Sequence, residues 1–253
     1  MFRSILLFVL IGMVSFSCSQ KEEGVLEENL TKEFAEEIGH TQTTIGSATI
    51  PILEKQMIEQ GLVNVEEVVS GIRVELKYST EDNFFGRDVY GDLIHAYLQP
   101  RVADSLKVVQ EMLQAENPDL TLLIYDGARP RSVQQILWDN LDKPDSLKPL
   151  YVADPKVGSL HNFGVAVDLT IFNTKTSEPL DMGTGYDFFG YQAYPDREEQ
   201  MLEEGKLTEE QIANRELLRK VMTANGFTGI GSEWWHFNAF SRAKAGELFK
   251  IIE

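Results

Sequence analysis

The chain is short of the side chains that most directly carry chemistry: one cysteine and four histidines in 253 residues. A single cysteine, Cys18, excludes an intramolecular disulfide, and it sits far from any segment that reads as folded core. No serine lies in a nucleophile-elbow pattern, so nothing offers itself as a covalent nucleophile. No glycine-rich phosphate loop follows a predicted strand, which argues against a nucleotide cofactor. Lysine and arginine total 23 against 40 acidic residues, with no basic block and a formal charge of -17. Such a surface repels phosphate backbones and excludes nucleic acid as a partner. There is no internal repeat or low-complexity tract, and no apolar run reaches the roughly 20 residues that span a bilayer.

What is present begins with an N-terminal leader. Residues 1–17 carry Arg3 and then an almost wholly apolar run from Ile5 to Phe16, followed by Ser17 and Cys18. The pattern reads as a secretory signal, and Cys18 resembles the acylation site of a bacterial lipoprotein. The resemblance implies a protein of the bacterial cell envelope, attached to the membrane through an N-terminal lipid anchor. Residues 18–50 form an acidic tether, in which the stretch after Cys18 holds seven glutamates and one aromatic, Phe34. Within it 25–38 suits a short amphipathic helix, the threonine-rich 40–49 suits a loop, and His40 is solvated.

From residue 51 to 253 the composition is that of one globular domain of about 200 residues, large enough to bury a core. The alternation Ile72-Arg73-Val74-Glu75-Leu76-Lys77-Tyr78 predicts a half-buried strand. Val102, Leu106, Val109 and Leu113 fall at helical spacing across 101–115, and 132–141 predicts a second helix after Pro130. Leu120–Tyr125 reads as a buried strand ending at Asp126-Gly127, and 165–171 as another strand containing Asp168. Thr208-Glu209-Glu210-Gln211 is a capping box opening a helix that runs to Ala224, where Asn225-Gly226 stops it. Residues 227–230 and 234–237 read as brief strands. Helices grouped around short strands that do not alternate regularly predict an α+β fold.

Two of the four histidines stand near carboxylates: His161 with Asp168, and His236 with Glu233. Two neutral imidazoles and one carboxylate make the ligand set of a catalytic zinc, with one position left for water and one carboxylate left as a base. Gly164 lets the chain turn closely between His161 and Asp168. Acidic residues are 40 of 253, so any offset from a histidine meets a carboxylate about one time in six. On spacing alone, His161 as a turn hydrogen bonder and Glu233 as a surface ion-pair partner therefore stay open.

The residues Ser159-x-His161-x-x-Gly164-x-Ala166-x-Asp168 and Glu233-x-Trp235-His236 together resemble the signature of the zinc D-alanyl-D-alanine metallopeptidases, most closely their dipeptidase branch. The likeness extends through 75–84, 126–130 and 181–187 and covers about residues 60–240. It implies a single α+β domain with a central, mostly antiparallel sheet flanked by helices, and one Zn2+ per chain beside the sheet. It implies that His161, Asp168 and His236 ligate the zinc, that Glu233 is the general base, and that Arg129 stabilises the oxyanion. Asp187 would bind the ammonium of a small D-amino-acid dipeptide and Ser159 would position it. Trp234 and Trp235 read as packing, and His95 as structural. A D,D-carboxypeptidase acting on peptidoglycan stem peptides is the alternative within the same chemistry. One departure is Ala128, where the family usually has an aromatic; a missing ring there would enlarge the pocket or alter which side chains fit the substrate.

Overall fold

The computed structural model describes residues 43–45 and 48–253. The signal peptide, Cys18, the 25–38 helix and His40 lie outside the described residues. In chain order the strands and helices are β1 (Thr43–Ile45), β2 (Ala48–Ile50), α1 (Ile52–Glu59), β3 (Val63–Asn64), α2 (Val65–Val68), β4 (Arg73–Val74), β5 (Tyr97–Leu98) and α3 (Pro100–Glu116). There follow β6 (Leu120–Asp126), α4 (Arg131–Asp139), β7 (Ala166–Asn173), β8 (Glu178–Pro179), α5 (Glu198–Glu203), α6 (Glu209–Ala224), β9 (Thr228–Ile230), β10 (Glu233–Asn238) and α7 (Arg242–Leu248).

The central sheet has the order β4-β6-β7-β10-β9, with β8 pairing on β7. Only the β4–β6 pair is parallel; the β6–β7, β7–β10, β10–β9 and β7–β8 pairs are antiparallel. The α+β architecture with a mostly antiparallel sheet is therefore as expected. One face of β6 and β7, carrying Leu122, Ile124, Val167, Leu169 and Ile171, joins the main core with Leu106, Val109 and Leu113 of α3 and Leu218, Val221 and Met222 of α6. Burying both faces of β6 explains its nearly continuous apolar run, broken only by the hydrogen-bonded Thr121 before Asp126 ends it. Helix α6 begins at the anticipated capping box, Thr208 Oγ1 accepting from Gln211 N while Gln211 Oε1 accepts from Thr208 N.

Two expectations change. The threonine-rich 40–49 segment contains β1, which pairs with β2 as a hairpin, Thr43 opposite Ile50; its β-branched residues suit extended backbone better than a loop. The strand anticipated over Ile72–Tyr78 shortens to Arg73–Val74 and then turns as a 3-10 segment at Lys77–Ser79. That turn buries Tyr78, which faces functional side chains described below.

Two register breaks decide what stands beside Asp168. Along β6 and β7 the pairing shifts between Ile124 and Asp126, so that Tyr125 is an extra residue and Asp126 comes opposite Asp168. Along β10 and β9 it shifts between Glu233 and Phe237. Such bulges re-aim side chains that strict alternation would send to the other face.

Candidate active site

His161 opens a 3-10 turn, His161–Phe163, that Gly164 closes with a left-handed φ of 66°. A Cβ on Gly164 would lie 2.8 Å from Leu62 Cδ2 and 3.4 Å from Gln99 N, so both the backbone and the space there require glycine. The turn is tied down on several sides. Arg129 N donates to His161 O at 3.0 Å and Gln99 N to Gly164 O at 2.9 Å. Asn162, fully buried, donates from Nδ2 to Arg129 O at 2.7 Å and accepts from Ser159 N at 2.6 Å. Ser159 Oγ accepts from His161 N at 3.3 Å.

Asp168 and His236 are direct cross-strand partners on β7 and β10, and His161 leans in from its turn. His236 Nδ1 lies 2.9 Å from Asp168 Oδ1 and 3.2 Å from His161 Nε2. His161 Nε2 is 3.4 Å from Asp168 Oδ1. All three residues are buried. Their outer atoms settle the tautomers: His161 Nδ1–H donates to Gly127 O at 2.7 Å, and His236 Nε2–H donates to Asn238 Oδ1 at 2.9 Å. With both rings neutral, each would turn an unprotonated nitrogen towards the same point, the arrangement that metal-binding imidazoles adopt. The three ligand atoms lie within 4.8 Å of one another, a group able to hold a metal ion.

Glu233 stands at the start of β10 with Oε2 4.0 Å from His236 Nδ1. In a regular strand the i and i+3 side chains point to opposite faces; the register break lets both line one cavity of about 280 Å³. Arg129, Ser159 and Asp187 line it too, so every residue expected at the site within the described chain meets there. At about 280 Å³ it lies at the small end of ligand pockets, which run from about 300 to 1,000 Å³.

The region that forms this cavity matches known proteins. Residues 58–252 match the Peptidase_M15 family model, described as D-ala-D-ala dipeptidase. The chain belongs to that family. Among curated relatives, a D-alanyl-D-alanine dipeptidase of Escherichia coli (strain K12) is 35% identical over 179 residues, covering 70% of this chain and 83% of that protein. One of Streptomyces coelicolor is 33% identical over 190 residues, covering 68% and 88% respectively. Another, of Enterococcus faecium, is 28% identical over 200 residues, covering 71% and 92%. The chain is therefore an M15-family metallopeptidase.

The electrostatics of the peptidase site follow from burial. For Asp168, burial opposes ionisation, but the adjacent His161 and His236 outweigh it and hold the carboxyl far below its ordinary value. For His236, burial disfavours the cation, yet the hydrogen bond and charge of Asp168 prevail and raise it to about 9. Without a metal, protons thus supply the positive charge this cluster needs, and a cation would displace them. Burial pushes the Glu233 carboxyl up, only partly offset by His236. Burial and then the nearby Asp168 charge push Asp187 well up. Asp187 holds a left-handed φ of 57°, the kind of backbone strain found at binding sites.

Several further residues meet around the cavity, none of them in the two ligand-bearing segments. Asp126, completely buried, accepts from Arg129 Nε at 3.0 Å, Tyr90 Oη at 2.6 Å and Gly127 N at 2.9 Å. Arg129 Nη2 also donates to Asp126 Oδ2, Nη1 donates to Gln134 Oε1 at 3.0 Å, and the guanidinium carbon lies 4.9 Å from the Tyr78 ring centre. Tyr78 Oη donates to Asp187 Oδ2 at 3.1 Å, and Tyr186 Oη to Asp168 Oδ2 at 3.0 Å. Burial, with the Asp168 charge next, keeps the Tyr186 phenol protonated. Asp126 carried two sequence signals: it lies in the 126–130 stretch of likeness, and it ends a buried strand, where a charge needs a partner.

Two further expectations resolve at once. Trp234 and Trp235 are buried in the core and lie outside the cavity lining, as packing residues should. His95 pairs with Glu54, His95 Nδ1 to Oε1 2.9 Å, away from the cavity. Ala128 is buried in the core, its methyl is not among the cavity-lining groups, and its backbone N donates to Tyr97 O at 2.8 Å.

Proposed function

We propose that this member of the D-Ala-D-Ala dipeptidase family hydrolyses free D-alanyl-D-alanine-type dipeptides with one zinc ion per chain. His161 Nε2, Asp168 Oδ1 and His236 Nδ1 would hold the ion; two imidazoles and a carboxylate with locked tautomers suit zinc and leave a position open. When bound, zinc supplies Lewis acidity, polarising the scissile carbonyl and easing loss of a proton from water near neutral pH.

The protein's own groups do the rest. Glu233 accepts the proton of the attacking water and delivers it to the leaving amine; burial makes its carboxylate a stronger base than in solvent. Arg129 has five N–H donors, of which Asp126 and Gln134 engage three. The remaining two are free to meet the oxygen that gains negative charge, already oriented before the reaction begins. Asp187 pairs with the substrate's ammonium, which offsets the cost of keeping a carboxylate beside Asp168. Ser159 positions the dipeptide against the wall formed by the His161 turn.

The observation that carries the dipeptide reading is Asp187: a carboxylate outside the metal-binding group closes the same small cavity and matches a free amine rather than a continuing acyl chain. The test offers zinc-loaded protein a panel of free D- and mixed dipeptides and an N-acylated tripeptide, each with and without chelator. Turnover of free D-Ala-D-Ala that chelation abolishes is expected. Faster turnover of the acylated peptide would mean a D,D-carboxypeptidase, and activity indifferent to chelation would overturn the metal reading.

We propose also that the enzyme resides in the bacterial cell envelope, anchored by lipid on Cys18 and held off the membrane by the acidic tether. The apolar leader and the sole cysteine directly behind it support this. Labelled fatty acid should enter the wild-type protein in cells and not Cys18→Ala; equal labelling of both would reject it.

A further inference from the structure

The two oxygens of Asp168 have different partners. Oδ1 faces the imidazoles, 2.9 Å from His236 Nδ1 and 3.4 Å from His161 Nε2. Oδ2 accepts the Tyr186 hydroxyl at 3.0 Å, and Arg129 Nη2 stands 4.0 Å from the same oxygen. We propose that Tyr186 is a positioning residue that restricts Asp168 to binding the metal through one oxygen, and so keeps a coordination position free for the substrate carbonyl. The inference rests on the metal-centre reading above.

A carboxylate beside a small cation can swing until both oxygens bind, which would fill that position. Here the swing would break a buried hydrogen bond to Oδ2 and leave the phenol without its partner, a cost that holds the one-oxygen geometry. The phenol itself has little freedom. Its ring is packed by Tyr125 at 5.3 Å, Trp235 at 5.5 Å and Tyr78 at 6.1 Å between centroids. Tyr125 is the extra residue of the β6 register shift that also brings Asp126 opposite Asp168, so one irregularity in the sheet serves both orienting residues. Adjacent Asp187, in its left-handed conformation, meets Tyr78 instead. Two consecutive residues thus serve the metal side and the substrate side of one cavity.

The test substitutes Tyr186→Phe, which removes only the hydroxyl, and compares cobalt-loaded and zinc-loaded proteins with wild type. Tyr97→Phe, which removes a buried phenol that donates to Glu54 away from the cavity, is the control. For Tyr186→Phe the visible spectrum of bound cobalt should change towards higher coordination, and metal affinity by chelator competition should be no weaker. Its kcat should fall about 10- to 100-fold with little change in KM. Tyr97→Phe should leave the cobalt spectrum as in wild type. A ring-fluorinated tyrosine at position 186, which keeps the hydroxyl, should restore the wild-type spectrum. An unchanged spectrum in Tyr186→Phe, weaker metal binding in it, or an equal spectral change in Tyr97→Phe would overturn the proposal. Wild-type protein that binds no divalent metal would instead overturn the metal-centre reading, and failure on dipeptides with the spectral changes intact would overturn only the substrate reading.

Discussion

The two walls of the cavity are built differently. On the metal side, Asp168 and His236 sit on paired strands and His161 on a turn fastened by Asn162, Gln99 and the backbone of Arg129. On the substrate side, Asp187 lies in the loop between β8 and α5, with Phe188 and Phe189 substantially exposed beside it and a strained backbone of its own. Sheet register fixes positions to fractions of an ångström because each ladder hydrogen bond constrains its neighbours; a loop is set by a few side-chain contacts. On the proposed reading of the site, bond cleavage and substrate choice can vary separately in this protein, the first resting on the sheet and the second on the loop.

If so, changes on the two walls should have different kinetic signatures. Glu233→Gln, on the sheet side, should lower kcat about 10²- to 10⁴-fold while zinc stays bound; retention of more than a tenth of wild-type kcat would deny it the role of base. Asp187→Asn, on the loop side, should raise KM for free dipeptide so that kcat/KM falls about 30-fold or more, the loss of one buried charge pair. The same variant should leave metal content untouched and lose nothing on N-acylated peptides; a matching loss of kcat on both substrate types would erase the distinction between the walls.

The sheet side should also show a pH signature when metal-free. His236 is raised to about 9 from 6.5, so its contribution to stability is complete below about 6.5 and is lost as pH rises through 9. Asp168 is lowered, so its contribution is present above its ordinary value and lost only in strong acid. The melting temperature of metal-free protein should therefore decline between pH 7 and 10, while zinc-loaded protein, in which the ion replaces the proton, should not follow it; parallel curves would contradict this. The smallest effect concerns the turn beneath the metal side. Gly164→Ala forces a Cβ into left-handed backbone at a cost of about 1–2 kcal/mol, with the crowding against Leu62 added. Thermal unfolding should register that loss, and unchanged stability would show the turn to be less rigid than the hub of hydrogen bonds implies.

How far the residues alone could be read depends on how each one reaches the site. His161, Asp168, Glu233 and His236 were legible because two short segments carry a family resemblance, the spacing alone leaving other readings open. The capping box at Thr208 and the buried run of β6 were legible because helix starts and two-sided burial leave local signatures. The contacts of Asp126, Gln134, Tyr78 and Tyr186 were not: three of the four lie in stretches of the family likeness, but each acts on a residue three to many positions away, and nothing in the local sequence says which. The shortened strand at Arg73–Val74 was missed for a related reason: the alternation persists to Tyr78, but burying Tyr78 against Arg129 and Asp187 takes the chain out of the sheet.

The order of residues by itself determined the ligand types, the candidate base, the elements that carry them and the acidic, nearly cysteine-free character that removes other chemistries. Only the folded chain decided that Asp126 lies opposite Asp168, that Glu233 shares a face with His236, and that Ala128 points into the core rather than the pocket. The physical reason is register. A side chain in a strand changes face with a shift of one residue, and which residue is skipped at a bulge is settled by the pairing of whole strands, not by the letters around it.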